Sequence, residues 1–420
     1  MMNLKQVDPQ VADAISAEED RIQRQLLMIP SENYTSAAVR QAVGSVVMNK
    51  YSEGEVGKRY YQGNENIDII EGLARSRALQ VFGLDPDGWD VEVQSVTGAH
   101  ANSAIYSALL QPGDRMLGMY LFDGGHLSHG WKMSEERKTT HNSRVYESYF
   151  YRVDPKTEVF DYDKIDEIAK EVKPKIVISG GTAYPREIDH ERLGKIAHDI
   201  GAYYLADVSH EAGLVLAGLN KRPFEHADVT MMTTRKTLRG PNGALIFSRK
   251  DISTEIRRAV FPGMQGGPLN NHIAGIAVAL HEAMQPEFKQ YAEQIIKNAK
   301  VLAEELMKKG YKVVSGGTDK HLVLLDLRPQ GLLGKDAAIA LEKANIITNA
   351  NTIPNDPAPP MKPNGLRIGT PCLTSRGMTE EHMVSVVNWM DQVLSSINDE
   401  KLLGKLAQEV EQFARKFPVR

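Results

Sequence analysis

The chain has 420 residues, long for one hydrophobic core, so two subdomains are the default. Its 50 Lys and Arg balance 54 Asp and Glu, which argues against nucleic-acid binding as the main function. The single cysteine, Cys372, excludes an internal disulfide and suits a reducing compartment. No apolar run approaches the roughly 18 residues that span a membrane, and residues 1–12 carry neither a secretory nor an Arg-rich transit pattern. A cytoplasmic enzyme, with no nucleic-acid or membrane partner, is the expectation.

In chain order, Asp8 to Leu27 predicts an N-terminal helix, with Val11, Ile15, Ile22 and Leu26 at helical spacing. Residues 31 to about 83 alternate loops and helices. Thr97-Gly98-Ala99 is a small-residue turn, with Ser103 to Leu110 helical behind it. Strand-like runs at Arg115–Leu121, Lys175–Ser179, Ala202–Asp207 and Val229–Thr233 alternate with helical ones, which predicts a mostly parallel sheet covered by helices. A long helical segment from Asn271 to Lys309 leads to a smaller α+β domain with a strand at His321–Leu327 and final helices from about Thr379. Pro354 to Pro360 is a local loop. The expected organisation is an N-terminal helical arm over 1–30, a large domain over 31–285 and a small C-terminal domain over 286–420.

Two segments carry chemistry. In Thr233-Thr234-Arg235-Lys236-Thr237-Leu238-Arg239-Gly240-Pro241, a lysine follows one buried-strand pattern and precedes another, Gly243 to Phe247. A lysine held away from water is costly when charged, and one resolution is a Schiff base with a carbonyl. In Tyr203-Tyr204-Leu205-Ala206-Asp207-Val208-Ser209-His210-Glu211, an apolar strand runs out into an aspartate. That is where open α/β sheets place ligand chemistry, and an acid there can hold a proton on a pyridine nitrogen. Alone, Lys236 reads as a salt-bridged loop lysine and Asp207 as a helix cap. Together, in this order, they describe a pyridoxal phosphate site. The turn at Thr97, Gly98 and Ala99 offers backbone N–H groups and a helix dipole to the phosphate, a weak signal by itself.

Further motifs stand in series: Pro30-Ser31-Glu32-Asn33-Tyr34-Thr35-Ser36, Tyr51-Ser52-Glu53-Gly54, Gly57-Lys58-Arg59-Tyr60-Tyr61 and Asp123-Gly124-Gly125-His126-Leu127-Ser128-His129-Gly130. Phe261-Pro262-Gly263-Met264-Gln265-Gly266-Gly267-Pro268 and Gly365-Leu366-Arg367-Ile368-Gly369-Thr370-Pro371 complete them. From about residue 10 to its end, the chain resembles the serine hydroxymethyltransferase family of folate-linked pyridoxal phosphate enzymes. The resemblance implies a fold-type I transferase, α/β, with a mostly parallel seven-stranded sheet in the large domain. It implies interconversion of serine and tetrahydrofolate with glycine and 5,10-methylenetetrahydrofolate.

The resemblance also implies residue roles. Lys236 holds pyridoxal 5′-phosphate as a Schiff base, with Thr233 counted in the catalytic set, and Asp207 protonates the ring. His126 stacks on the ring, and His210 lies near the cofactor oxygen and the substrate carboxylate. Arg367 clamps that carboxylate through two parallel hydrogen bonds, with Ser31 and Tyr61 beside it. Glu53 is the acid–base group. Leu121, Gly125, Leu127 and Asn351 line the folate pocket, with Thr182 and Phe261 adjacent. Tyr51, Glu53 and Gly267 reach the cofactor of a neighbouring subunit, so the site needs a homodimer, with a tetramer also open. Without the family, Arg367 reads as a surface ion pair, Glu53 as a solvated carboxylate and His126 as a loop histidine.

Four residues depart from the family pattern. Ala99 replaces a serine and Arg235 a histidine, and an arginine beside the phosphate compensates for a lost hydroxyl. Ala350 stands where a lysine precedes Asn351, and Glu211 replaces an apolar residue. These leave open a folate-independent threonine-type aldolase or transaldolase, or an α-methylserine hydroxymethyltransferase. A silent binding paralogue is the remaining alternative, and the intact Lys236, Asp207 and Arg367 argue against it.

Overall fold

A computed structural model describes residues 3–359 and 361–419, so Pro360 of the expected loop lies outside the described residues. The chain forms two compact units, and each is described by itself. One is Thr35–Glu293; the other joins the N-terminal segment through Tyr34 to the chain from Gln294 onward.

The Thr35–Glu293 unit is built on seven strands: β1 (Trp89–Glu92), β2 (Arg115–Met119), β3 (Glu147–Tyr151), β4 (Ile176–Ser179), β5 (Tyr203–Asp207), β6 (Val229–Thr233) and β7 (Ala244–Arg249). Their order is β1-β7-β6-β5-β4-β2-β3. Only β7 runs antiparallel to its neighbours, β1 and β6. The interior strands are buried along nearly their whole length, as expected where helices cover both faces of a parallel sheet. Helix α1 (Gly98–Leu109) lays Ala101, Ala104 and Ile105 into the core beside Ile178, Leu205 and Ile246. The carboxyl ends of β5 and β6 therefore open beside the start of α1, the place where such sheets bind ligands.

The second unit holds a four-stranded antiparallel sheet: β8 (Lys312–Val313), β9 (Leu322–Asp326), β10 (Asn349–Asn351) and β11 (Gly365–Gly369), in the order β8-β9-β11-β10. Helices Gly334–Lys343, Glu380–Leu394 and Glu400–Ala414 contribute Leu341, Val387 and Leu406 to its core. The N-terminal helix is Pro9–Arg24, capped by Asp8. Leu26–Leu27, expected as its last turn, instead pairs as a strand with Ile346–Ile347. Arg376 donates to the carbonyls of Ile22, Gln23, Gln25, Ala414 and Phe417, tying the chain's two terminal regions together. The long helical segment is two helices, Asn270–Ala283 and Pro286–Lys308, because Pro286 starts a new helix. No described helix is long and apolar enough to cross a membrane.

Candidate active site

A cavity of about 360 Å³ opens at the ends of β5 and β6. Thr97, Gly98, Ala99, His126, Thr182, Asp207, His210, Thr233, Arg235 and Lys236 all line it. The acid and the lysine are thus brought to one place with a small-residue turn more than a hundred positions before them.

Asp207 ends β5 and is buried. Its Oδ2 accepts from Asn102 Nδ2 and His129 Nε2, both at 3.0 Å, and its Oδ1 accepts from the Ser209 N–H at 3.1 Å. Burial pushes its pKa up, but the hydrogen bond and charge of His129, then the charge of His126 and the Ser209 hydrogen bond, outweigh it, and the carboxyl sits well below the usual range. It is a carboxylate at neutral pH. Lys236, half-buried, donates from Nζ to Thr233 Oγ1 at 2.8 Å. Thr233 is itself fixed, its N–H donating to Ser209 Oγ. His126 holds its ring through Nδ1, which accepts from the Ser128 N–H at 3.1 Å. Burial first, then His129 and Lys236, pull its pKa down to about 4, with Asp207 opposing. The ring facing the cavity is neutral at pH 7.

At the turn, Thr97 caps α1 by accepting from the His100 N–H at 3.2 Å. The N–H groups of Gly98 and Ala99, in the first turn of the helix, have no acceptor within it, and both residues line the cavity. A Cβ on Gly98 would come within 2.6 Å of Thr233 Cγ2, so the close approach of turn and strand requires glycine. Arg235 is exposed on the cavity wall, with no hydrogen bond or ion pair to another described residue. His210 is buried, and its carbonyl accepts from Thr237 Oγ1 at 2.9 Å. Glu211, the polar replacement beside it, is buried as well.

Pyridoxal 5′-phosphate fits this residue set. An anionic acceptor lies in the buried wall, a lysine amine is held by a hydroxyl, and a flat neutral ring lines the cavity. Two helix-end N–H groups and an uncommitted guanidinium suit a phosphate.

Tyr51, Glu53, Tyr61 and Gly267 do not line this cavity; they form a cluster of their own. Tyr61 Oη donates to Glu53 Oε2 at 3.1 Å, and the Tyr51 and Tyr61 rings meet edge to face at 5.6 Å. The Tyr51 ring lies against Gly267, yet Tyr51 is 55% exposed. Leu121, Gly125 and Leu127 sit on the loop after β2, where Thr182 Oγ1 donates to the Gly125 carbonyl at 2.9 Å. Phe261 is apart from them, lining a separate cavity of about 610 Å³ with Tyr60, Arg257 and Arg258.

Ser31, Asn351 and Arg367 belong to the other unit. Arg367 on β11 is buried, not a surface residue, and its Nε donates to Asn349 Oδ1 at 3.0 Å. Burial lowers its pKa to about 10, with Glu32 acting the other way, so it stays cationic at neutral pH. Ser31 follows Pro30, which packs against Gly369 at the end of the same strand. Asn351 on β10 donates to the Thr352 carbonyl.

Sequence reasoning missed the residues that fix Asp207. His129 was present in the quoted motif, three positions after His126, and Ser209 stands two after Asp207 in the turn position where an aspartate accepts from the backbone. Asn102 carried no signal of its own.

A family model described as serine hydroxymethyltransferase matches residues 4–390. A protein named serine hydroxymethyltransferase from Alkalilimnicola ehrlichii is 48% identical over 420 residues, covering 100% of this chain and 98% of its own. Proteins of the same name from Halorhodospira halophila and Acidothermus cellulolyticus are each 46% identical. The first alignment covers 100% of this chain and 98% of the relative, the second 99% and 96%. A chain matched from residue 4 to 390, with relatives this similar along their whole length, belongs to the serine hydroxymethyltransferase family.

Proposed function

We propose that this protein interconverts L-serine and tetrahydrofolate with glycine and 5,10-methylenetetrahydrofolate, using pyridoxal 5′-phosphate. The observation that carries the reading is one cavity lined by Lys236, Asp207, His126 and the Thr97–Ala99 turn. When bound, the cofactor supplies an electron sink for charge at the substrate α-carbon. Lys236 would hold the cofactor through its aldehyde, its amine directed by Thr233. Asp207 holds a proton at the pyridine nitrogen, and His126 offers a neutral face to the ring. The N–H groups of Gly98 and Ala99, the Thr97 hydroxyl and Arg235 bind the phosphate.

Arg367, aided by Ser31, binds the substrate carboxylate, while Glu53 moves a proton at the substrate hydroxyl oxygen. His210 orients the substrate beside the cofactor. Leu121, Gly125, Leu127 and Asn351 receive the folate, while Phe261, in its separate cavity beside Tyr60, belongs with the residues that a second copy would bring. Because Tyr51, Glu53 and Gly267 cluster away from the chain's own Lys236 cavity, they suit a homodimer in which each copy completes the other's site. A cytoplasmic location is part of the same proposal, supported by the single cysteine, Cys372, which suits a reducing compartment.

The test is glycine formation from serine on pyridoxal-loaded protein, with and without tetrahydrofolate, with threonine as the parallel substrate. Strong folate-dependent cleavage of serine is expected. Folate-indifferent cleavage favouring threonine would overturn the reading and mark Ala99, Arg235, Glu211 and Ala350 as features of an aldolase.

A further inference from the structure

The loop that carries Glu53 has unusually complete backbone support. One Arg59 nitrogen, Nη1, donates to the carbonyls on both sides of it, Ser52 at 3.0 Å and Gly54 at 2.8 Å. The carbonyl of Glu53 itself accepts from the Tyr60 N–H at 3.1 Å. Arg59 is in turn held by Asp68 and by Glu71, at 2.8 and 2.7 Å, with its side chain only 3% exposed. A second donor reaches the same place from a different element. Gln94, buried just beyond β1, donates from Nε2 to the Gly54 carbonyl at 3.1 Å and to both carboxylate oxygens of Glu71 at 3.1 and 3.2 Å.

Gln94 has two further links. Its N–H donates to Glu92 Oε1, which anchors it to β1. Its carbonyl accepts from Gln265 Nε2 at 2.8 Å, immediately before the Gly266–Gly267 pair on which Glu53 and Tyr51 rest. Gln94 therefore touches both segments of the Tyr51–Glu53–Gly267 cluster, while standing three residues before the Thr97 turn of the cofactor cavity.

From this convergence we infer that Gln94 is a positioning residue for Glu53, fixing its loop to the end of β1 through Gly54 and Glu71. The inference rests on the reading of Glu53 as the proton-handling group. A neutral side-chain amide suits the post, because Arg59 already supplies the cation that pairs with Glu71 and the amide donates to Gly54 and Glu71 together.

The test is a double-mutant cycle on the pyridoxal-loaded enzyme with Gln94→Met, which keeps volume and removes the donor, in the wild-type and Glu53→Gln backgrounds. The expected result is a serine turnover number about tenfold lower in the wild-type background and under about twofold lower with Glu53→Gln, the signature of action through one group. Pyridoxal phosphate affinity stays within about twofold. Equal losses in both backgrounds would overturn the inference.

Hydrogen exchange supplies an arm independent of turnover. Gln94→Met should speed exchange of the Tyr60 amide and its loop while leaving residues 101–109 of α1 protected. Unchanged exchange at Tyr60 would overturn the inference even if the wild-type protein proved to be an aldolase. If the methionine variant does not fold, Gln94→Asn, which withdraws the amide by one methylene, is read by the same exchange measurement with the same two outcomes.

Discussion

His129 Nε2 lies 3.0 Å from Asp207 Oδ2, and neither side chain has appreciable access to water. The histidine ring therefore acts as a fixed donor that stabilises the carboxylate and aims its remaining lone pairs. A hydrogen bond to a charged group contributes roughly 1.5–3 kcal/mol. His129→Leu keeps an apolar body of similar bulk but removes the donor. It should weaken pyridoxal phosphate binding at least about tenfold, measured by titrating dialysed protein with the cofactor and following its absorbance. Retained affinity would show that Asn102 and the Ser209 N–H suffice.

Glu92 gives a pH dependence of a different kind. It is buried at the end of β1, and burial, with the Glu71 charge next, pushes its pKa from 4.5 up to about 7. The native state then holds a proton that the unfolded chain releases, so this group's contribution to stability falls as pH rises from about 4.5 to about 7. The full span corresponds to about 3 kcal/mol. His126 works in the opposite sense. Its native pKa of about 4 lies below the ordinary 6.5, so the unfolded chain takes up the proton first and stability is lost as pH falls through that window. Glu92→Gln should gain stability above pH 7 and leave the His126 limb exposed between about pH 4 and 6.5. Denaturant melts of the cofactor-free protein at several pH values check this; parallel curves for the two proteins would refute it.

The pattern of what was legible in the sequence follows from the range of the interactions involved. Asp207 and Lys236 were readable because each ends or follows an apolar strand, and a strand's carboxyl end is a local property. Leu26–Leu27 was misassigned to a helix because its partner, Ile346–Ile347, lies some 320 positions away, beyond any local window. The break before Pro286 was available in the sequence, since proline starts helices more readily than it continues them. Gln94, Arg59 and Glu71 could not be singled out. Their importance is a matter of which carbonyls they reach, and sequence spacing does not encode it.

Arg235 and Ala99 together make a prediction about the phosphate. If the guanidinium replaces a hydroxyl donor at the α1 turn, Arg235→Ala should weaken pyridoxal phosphate binding by about ten- to a hundredfold, the range for a charged hydrogen bond. Pyridoxal, which lacks the phosphate, should bind equally well to both proteins. Adding Ala99→Ser to Arg235→Ala should recover part of the loss. Equal weakening toward both ligands would assign Arg235 to another part of the molecule bound there.

Gly98 tests how tightly the turn is coupled to the lysine. An added Cβ would sit 2.6 Å from Thr233 Cγ2, closer than side chains approach, and the strand fixes the Thr233 backbone. The remaining relief is rotation about χ1, which carries Oγ1 away from its 2.8 Å contact with Lys236 Nζ. Gly98→Ala should therefore cost about 1–3 kcal/mol of stability and lower cofactor retention at the same time. Thr233→Ser deletes the clashing methyl but keeps the hydroxyl. The double variant Gly98→Ala/Thr233→Ser should recover cofactor retention relative to Gly98→Ala, as followed by absorbance after gel filtration. If the serine substitution rescues nothing, the glycine is required by the phosphate itself and not by Thr233.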